Sequence, residues 1–443
     1  MIEICTVGGY DEVGKNMTAV RVGNEVVILD MGFQLENLIS YEDEQPQKFP
    51  AKKLINIDAI PNDELIKDWR SFVVAIIPSH GHLDHIGAIP YLCEKYGCPI
   101  IATPYTIELM KSIMFDNQMK VSNQIRPLLP NSRMKISENF EIEFISITHS
   151  TLQAVMIALH TPHGIILYAN DFKFDSNPII GKKPDFARLK RLSKEDVRVL
   201  IVDSIYAYND NKTPSEKVAR EMLKDVMLGT DNVDSLIIAT TFASHIARVK
   251  SIVDFGQRLG RKVVLVGRSM NRYVNAAKKA KLVNFENVKI VPYSSKVKQE
   301  LKKINDSEKR NEYLIICTGN QGEPNSILSK IARKELPLEL KPNDHVIFSC
   351  KTIPSPINQA NREQLDKLLK NSNVRIFKDL HVSGHASKED LRDLISMVKP
   401  EHIIPAHVDN AKAAFMAELA SEMGFILGEN VHIMKNGLRM RFE

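Results

Sequence analysis

Three histidines and an aspartate stand close together in one short stretch of the sequence. This stretch follows the apolar run Phe72–Ile77 and reads Pro78-Ser79-His80-Gly81-His82-Leu83-Asp84-His85. The apolar run predicts a buried strand, and proline has no N–H with which to continue a sheet, so the histidines are expected on a loop at the strand end. Imidazole nitrogens and carboxylate oxygens are ligands for zinc and similar first-row ions. The loop therefore predicts a site for one or two metal ions.

Polar side chains also stand where other apolar runs end. Four such runs end at Asp30, His149, Asp171 and Asp203, and two later ones lead to His385 and His407. In α/β sheets the ends of parallel strands meet along one edge, and functional groups collect there. We therefore expect these residues to converge with the histidine loop, although they are far apart along the chain.

The candidate ligands form two sets that a shared carboxylate can join. The first set is His80, His82 and His149, the second is Asp84, His85 and His407, and the bridging residue is Asp171. Two ions roughly 4 Å apart can clamp the attacking and leaving oxygens of a phosphoryl group, and each can lower the pKa of a shared water towards ~7. This arrangement predicts a hydrolase.

The composition is that of a large globular chain. Its 443 residues, of which 44% are hydrophobic, predict two domains or one large domain with an insertion. The net charge of +5 is a mild excess that is compatible with a polyanionic substrate. No signal-type N-terminus and no apolar stretch of roughly 18 residues occurs, so we expect a soluble, cytoplasmic protein. Five scattered cysteines argue against a disulfide framework.

The pattern of elements changes along the chain. Up to Ser204 it is rich in strands, whereas beyond this residue apolar runs alternate with helical stretches. Such alternation is typical of a parallel sheet with crossover helices. At the C-terminal end, the segment 431–442 is predicted to form a hairpin about Asn436-Gly437.

The histidine loop, with Asp30 before it and His149 and Asp171 after it, resembles the metallo-β-lactamase superfamily. Three further motifs resemble those of the β-CASP nucleases, namely Asp203-Ser204-Ile205-Tyr206, Ser383-Gly384-His385 and Pro405-Ala406-His407. Two others, together with the segment from His381 to Ser387, are similar to ribonuclease J, namely Gly267-Arg268-Ser269-Met270 and Cys317-Thr318-Gly319-Asn320-Gln321-Gly322-Glu323-Pro324. The resemblance implies a metallo-β-lactamase αββα sandwich formed by residues 1–205 and 374–443, with an inserted β-CASP domain at residues 206–373.

The resemblance also implies an activity and roles for residues. The implied enzyme is a zinc-dependent 5′ to 3′ exoribonuclease that degrades 5′-monophosphorylated single-stranded RNA by two-metal hydrolysis. The ligands proposed above would hold two Zn²⁺, or Mn²⁺, with Asp30 supporting the site. The implied catalytic residues are Asp84, Asp203 and His385, of which Asp203 poises His385 to protonate the leaving oxygen. The implied substrate-binding residues are Gly267, Arg268, Ser269, Met270, Gly319, Gln321, Glu323, His381 and Ser383.

The sequence departs from the usual pattern of the family at two positions and in its length. Val408-Asp409 follows His407 where ribonuclease J usually has Gly-Glu, and Asn170 precedes Asp171 where glycine is common. The chain stops soon after the predicted hydrolase domain, which is similar to the archaeal form and implies that the C-terminal domain of bacterial members is missing. The expected partner is RNA, no membrane is expected, and a homodimer is left open.

Other functions of the same residues also stay open. An endoribonuclease and a DNA nuclease of the β-CASP group are alternatives, because contacts to the ribose 2′-OH leave no signal in residue spacing. A flavodiiron-type redox protein would carry a carboxylate in place of His82, so this residue argues against that class. A catalytically silent RNA-binding scaffold is a further alternative, and the presence of every proposed ligand argues against it.

Overall fold

The computed structural model describes residues 1–39, 41, 44 and 46–443, which form two compact units. The first unit comprises Met1–Ser176, Gly181–Thr213 and Gly384–Glu443, and the second comprises Asn177–Ile180 and Pro214–Ser383. The domain boundaries drawn from the sequence at 205/206 and 373/374 stay predictions. Among the described residues, no helix is both long enough and apolar enough to cross a membrane.

The strands, in chain order, are β1 (Ile2–Gly8), β2 (Met17–Val22), β3 (Glu25–Leu29), β4 (Val73–Ile77), β5 (Ile100–Ala102), β6 (Ile125–Pro127), β7 (Arg133–Lys135), β8 (Glu141–Ser146), β9 (Val155–Thr161), β10 (Gly164–Ala169), β11 (Val197–Asp203), β12 (Ile237–Thr240), β13 (Lys262–Val266), β14 (Val288–Val291), β15 (Tyr313–Cys317), β16 (His345–Phe348), β17 (Arg375–Phe377), β18 (His402–Ala406) and β19 (Arg439–Phe442).

The α-helices are α1 (Leu35–Ile39), α2 (Ala51–Asn56), α3 (Leu83–Ile86), α4 (Ile89–Leu92), α5 (Pro104–Asp116), α6 (Phe186–Leu192), α7 (Glu216–Gly229), α8 (Ile246–Arg258), α9 (Arg268–Lys279), α10 (Ser294–Asn305), α11 (Ile327–Ala332), α12 (Pro356–Asn371), α13 (Lys388–Val398) and α14 (Asn410–Glu422). Short 3₁₀ helices cover Pro46–Lys48, Asp63–Phe72, Cys93–Tyr96 and Arg310–Glu312.

The first unit is built on two sheets that pack face to face. The strand order is β19-β1-β2-β3-β4-β5-β6 in one sheet and β18-β11-β10-β9-β8-β7 in the other. Apolar side chains of both sheets share one core, for example Val27 and Ile77 with Ile157 and Ile201. Helices α6, α13 and α14 cover the opposite face of the second sheet. The central strands are buried on both faces, which explains why they read as continuous apolar runs.

The second unit contains a parallel sheet with the order β14-β13-β15-β12-β16-β17. Helices α8, α9, α10 and α12 alternate with its strands along the chain, as crossover connections between parallel strands require. The predicted α/β fold class, with a separate parallel sheet, is therefore confirmed.

The hairpin predicted for the C-terminal segment 431–442 is wrong. Strand β19 instead pairs antiparallel with β1, with Ile2 opposite Phe442 and Cys5 opposite Arg439. Strand β1 has β2 on its other side, so the C-terminal strand satisfies backbone groups that would otherwise lie on an open sheet edge. A turn signal near a strand favours a local hairpin, but it carries no information about a partner at the far end of the chain.

Left-handed backbone conformations occur within two residues of the ends of three strands that lead to the histidine cluster. Asp30, Asp171 and His407 have φ values of +57°, +54° and +55°. They follow β3, β10 and β18, and such conformations are costly for residues with a Cβ. Each strand end therefore turns sharply and directs its polar side chain to the sheet edge.

Candidate metal centre and active site

The histidine loop is anchored at both ends by the buried carboxylate of Asp30. The backbone N–H of Ser79 donates to Asp30 Oδ1 at 2.6 Å, and the Ser79 hydroxyl donates to Oδ2 at 2.9 Å. At the other end, His85 Nδ1 donates to Asp30 Oδ2 at 2.7 Å, and the Tyr168 hydroxyl donates to the same oxygen at 2.9 Å. Asp30 thus lies where a residue supporting the loop is expected to lie.

The first ligand set, His80, His82 and His149, comes together as predicted. His82 Nδ1 lies 3.2 Å from His80 Nε2 and 3.1 Å from His149 Nε2. Burial lowers the pKa values of His80 and His149 well below the ordinary value and lowers that of His82 to about 4, so all three rings are neutral.

Hydrogen bonds on the far side of two of these rings determine which nitrogen carries the proton. The Ser79 hydroxyl already donates to Asp30, so at 3.0 Å it must accept from His80 Nδ1. His149 Nδ1 donates to the carbonyl of Gly384 at 2.8 Å. The Nε2 atoms of both histidines therefore carry lone pairs. Converging lone pairs repel one another, and a cation among them relieves this repulsion.

The second ligand set, Asp84, His85 and His407, is also assembled. Asp84 Oδ2 lies 3.6 Å from His85 Nε2 and 3.9 Å from His407 Nε2. Because Nδ1 of His85 is held by Asp30, Nε2 is the nitrogen of this ring that faces Asp84. This second set therefore offers one carboxylate and two imidazoles at a point distinct from the first set.

Asp171 lies between the two sets. Its Oδ2 is 3.5 Å from Nε2 of both His80 and His149 and 3.3 Å from His85 Nε2, while its Oδ1 is 3.8 Å from His407 Nε2. Burial alone would raise the pKa of this carboxyl, but His407 and His85 outweigh burial and lower the pKa well below the ordinary value. Asp171 is therefore ionised and lies where a bridging residue is expected to lie.

The donor chemistry of this cluster fits divalent metal ions. Asp171 Oδ1 is buried and has no hydrogen-bond donor within the part of the chain that the structure describes. A buried carboxylate oxygen without a donor is costly unless a cation neutralises it. Ligand atoms within each set, with Asp171 joining the first, lie within 4.8 Å of one another. Imidazole and carboxylate ligands of this kind are compatible with zinc and with other first-row ions.

A carboxylate–imidazole pair adjoins the metal cluster. His385 Nδ1 donates to Asp203 Oδ2 at 2.8 Å, and its ring lies 5.0 Å from that of His149 and 5.7 Å from that of His407. Burial opposes a charge on this ring, but Asp203 and Asp171 outweigh burial and raise the pKa of His385 to about 9. His385 can therefore carry a proton at neutral pH, with Nε2 as the nitrogen that can transfer it.

A buried network behind the ligands includes residues that the sequence did not reveal. Asn16 Nδ2 donates to the backbone carbonyl of Asp84 at 3.1 Å, and Asn16 Oδ1 lies 3.2 Å from His407 Nδ1. With Nδ1 held in this way, Nε2 is the nitrogen of His407 that faces the cluster. Asn170 Nδ2 donates to Asn16 Oδ1 at 3.1 Å and to the Tyr168 hydroxyl at 2.9 Å. Asn170 stands where glycine is common in the family. It connects Asn16, which contacts the second ligand set, with Tyr168, which donates to Asp30 behind the histidine loop.

The other departure from the family pattern, Val408-Asp409, has a structural role beside His407. Val408 is buried, and Asp409 caps helix α14 by accepting from the backbone N–H of Lys412 at 3.0 Å. Aspartate is a preferred residue at the N-cap because it satisfies one of the otherwise unpaired N–H groups. This cap fixes the helix that begins immediately after the ligand.

The predicted substrate-binding residues all lie in the second unit. Gly267 has a φ of +115° and caps α9, Arg268 and Ser269 are exposed on its first turn, and the Met270 side chain is buried. Further along the chain are Gly319, Gln321, Glu323, His381 and Ser383.

Gln321 ties the 319–323 loop to a neighbouring segment. Its Oε1 accepts from the N–H of Ile353 at 2.7 Å, and its Nε2 donates to the carbonyl of Lys351 at 3.0 Å. Glu323 accepts from the N–H of Gln321 at 3.1 Å within the same loop. Both polar atoms of the Gln321 side-chain amide are therefore occupied by hydrogen bonds to the backbone.

Three family models match successive parts of the chain. Residues 10–174 match the model described as Metallo-beta-lactamase superfamily, and residues 234–368 match Ribonuclease J, beta-CASP domain. Residues 372–434 match Zn-dependent metallo-hydrolase RNA specificity domain. The first model covers the histidine loop, His149 and Asp171, and the last covers His385 and His407.

Relatives of known name align along nearly the whole chain. A protein of Methanocaldococcus jannaschii named Ribonuclease J is 45% identical over 444 residues, covering 100% of this chain and 99% of the relative. A protein of the same name from Pyrococcus abyssi is 45% identical over 439 residues, covering 99% and 96%. The crystal structure of a protein of unknown function from Enterococcus faecalis V583 has a TM-score of 0.64, 17% identity and 99% coverage of both chains, which shows similarity of fold alone.

Proposed function

The chain belongs to the ribonuclease J family within the metallo-β-lactamase superfamily, and from this premise we propose that it is a zinc-dependent 5′ to 3′ exoribonuclease. Its substrate would be single-stranded RNA with a 5′-monophosphate, which it would shorten to mononucleotides. The observation that carries the proposal is the pair of ligand sets joined by Asp171, with the Asp203–His385 pair beside them. Metal ions held by the two sets would activate the phosphodiester, and His385 would supply the proton beside them.

Seven residues would hold two metal ions, namely His80, His82, Asp84, His85, His149, Asp171 and His407. When bound, such ions supply Lewis acidity at a phosphoryl group and lower the pKa of a nearby water. We propose Zn²⁺ as the ion because imidazole nitrogens dominate the set, and Mn²⁺ as the alternative because both ions accept these donors.

The Asp203–His385 pair would handle the proton of the leaving group. The carboxylate of Asp203 fixes the tautomer of His385 and stabilises its charged form, so Nε2 can donate a proton to the oxygen that separates from phosphorus. The oxygen then leaves as a neutral hydroxyl, and His385 is left neutral until it takes up another proton. Asp203 keeps the ring oriented throughout.

Arg268 and Ser269 would recognise the 5′-monophosphate. Both are exposed on the first turn of α9, where the unpaired N–H groups of the helix also favour an anion. An arginine can bind phosphate through two parallel N–H groups. These groups would bind a terminal phosphate, and we propose that the site selects the monophosphate over the triphosphate.

The proposal is tested with RNA labelled at the 5′ end and carrying either a monophosphate or a triphosphate. We expect labelled mononucleotide from the monophosphorylated RNA and slower turnover of the triphosphorylated one. Arg268→Ala should reduce the rate on monophosphorylated RNA about 10- to 150-fold, since hydrogen bonds to charged groups contribute about 1.5–3 kcal/mol. Arg258→Ala, a change at an exposed arginine in the last turn of α8, is the matched control. Long internal fragments, together with equal cleavage rates for RNA with a 5′-monophosphate and RNA with a 5′-triphosphate, would contradict exonuclease action.

A further inference from the structure

A row of aromatic rings extends from His385 to the surface of the first unit. The centroid of the Tyr206 ring lies 5.9 Å from that of His385 and 5.8 Å from that of Tyr208. The Tyr208 ring in turn lies 6.1 Å from that of Phe415. We call Tyr206, Tyr208 and Phe415 the aromatic track. It connects the proposed proton donor with solvent through ring-to-ring contacts alone.

The outer two rings of the track are unusually exposed. Tyr208 is 46% exposed and Phe415 is 43% exposed, whereas Tyr206 is half-buried. A single exposed apolar side chain is ordinary, but neighbouring exposed aromatic rings beside a functional site indicate a binding surface for a ligand or partner. The rings are tilted against each other by 46° and 60° rather than stacked in pairs, so they do not cover one another face to face.

The fold holds this track in a fixed place. Strands β11 and β18 are parallel neighbours with Asp203 opposite Ala406, so the chain leaves both strands at the same sheet edge. One exit leads to Tyr206 and Tyr208, and the other leads to helix α14, which carries Phe415. The turn bearing the two tyrosines is bonded to the start of α13, where the N–H of Lys388 donates to the carbonyl of Asn209 at 3.0 Å.

We propose that the aromatic track stacks nucleobases of single-stranded RNA next to the scissile phosphate. This inference rests on the proposed function, since it assumes that the strand passes His385. Every base has a π face, so stacking on Tyr and Phe binds a strand without reading its sequence, as a processive or non-selective nuclease requires. The occupant is RNA and not a protein because the track is continuous with His385, and a protein seated on it would cover the proton donor.

The test measures binding to the metal-loaded protein by fluorescence anisotropy. Two RNA strands of equal length with phosphorothioate linkages are compared, one bearing bases and one fully abasic, so that backbone charge is the same. We expect Tyr208→Ala and Phe415→Ala each to weaken binding of the base-bearing strand about 5- to 150-fold, since one base–aromatic stack is worth about 1–3 kcal/mol. Binding of the abasic strand should not change. Tyr208→Phe should restore binding because it keeps the ring.

Phe115→Ala is the matched control, because Phe115 is an aromatic residue on helix α5 with 81% of its surface exposed. It should bind both strands like the unaltered protein. Equal losses for the two strands, or no loss for either, would overturn the proposal. So would a dimer that dissociates on Tyr208→Ala, since the track would then be a contact between copies. The proposed exonuclease activity is tested separately, by the turnover of RNA with a 5′-monophosphate or a 5′-triphosphate. Equal turnover of these two RNAs would contradict exonuclease action but would not alter the binding comparison between base-bearing and abasic strands.

Discussion

The proposed metal ligands are oriented by the groups behind them. Ser79 and Gly384 fix the protons of His80 and His149 on Nδ1. Asp30 does the same for His85. Partners of this kind set both the ring orientation and the basicity of a histidine ligand, and replacing them typically costs 10- to 100-fold in metal affinity or activity. The residue types of the ligands were recognisable in the sequence, whereas most of these partners were not.

The proposed role of His385 Nε2 as the proton donor, with Asp203 behind it, can be tested by substitution. We expect Asp203→Asn and His385→Ala to retain the metal ions but to slow RNA cleavage about 10²- to 10⁴-fold, the range that a positioned proton donor contributes. Asparagine cannot stabilise a charged His385, and alanine has no proton to give. Metal content by mass spectrometry and single-turnover cleavage rates provide the two measurements.

Asp393→Asn is the matched control for this pair, since Asp393 is an exposed aspartate that pairs with Lys212 at the surface. It should change neither quantity. His385, Asp171 and His407 also each offer one potential ligand atom, and these three atoms lie within 4.8 Å of one another. If either variant lost metal, His385 would be a ligand and not the proton donor.

At the scale of elements, one buried ion pair fastens helix α6 to the sheet that delivers His149. Glu143 on β8 accepts from Arg188 Nε on α6 at 2.6 Å and from His160 Nε2 on β9 at 3.0 Å. Burial alone would raise the pKa of Glu143, but the hydrogen bonds from His160 and Arg188 outweigh it and lower the pKa to about 2. Strand β8 ends shortly before His149, so this anchor supports the first ligand set.

We expect Glu143→Gln to lower the free energy of unfolding of the first unit by about 1.5–3 kcal/mol, because it removes charge-assisted hydrogen bonds from Arg188 and His160, while Glu195 still pairs with Arg188. The ionised carboxylate stabilises the fold fully above its ordinary pKa of 4.5, and this contribution is lost as the pH falls through about 2. The variant should therefore lose stability at neutral pH and lack this part of the acid dependence.

Urea unfolding followed by tryptophan fluorescence measures this change selectively. The chain has one tryptophan, Trp69, which is buried in the first unit. Glu401→Gln, which breaks a largely exposed pair with Arg198, is the control and should cost under about 1 kcal/mol. Equal effects of the two substitutions would show that burial of the Glu143 pair contributes nothing.

How far the elements could be predicted depends on the range of the interactions that define them. The strand exits at Asp30, Asp171 and Asp203 were evident, because continuous apolar runs followed by a polar residue are a local signal. The pairing of β19 with β1 was not, since it joins the two ends of the chain. Asn16 and His407 are likewise separated by 391 positions, and no pattern around Gly14-Lys15-Asn16 indicates that contact.

At the scale of the whole molecule, the proposed metal ligands all belong to the first unit. They come from the histidine loop and from segments after β8, β10 and β18, so bound ions would connect both sheets of that unit. The predicted substrate residues belong to the second unit, where the sequence identified the elements but could not assign partners to side chains such as Gln321. Metal removal should therefore affect the two units differently.

We predict that chelation speeds amide hydrogen exchange in the first unit at residues 79–86, 147–153, 171–175 and 405–410, while β12, β15 and β16 exchange as before. A ligand present at 100 times its dissociation constant stabilises the folded state by about 2.7 kcal/mol, so exchange in these segments should rise up to about 100-fold. Mass spectrometry of peptides after treatment with EDTA measures this, and EDTA already saturated with zinc is the control. Faster exchange spread evenly over both units, or no change at the four segments, would contradict a metal centre confined to these ligands.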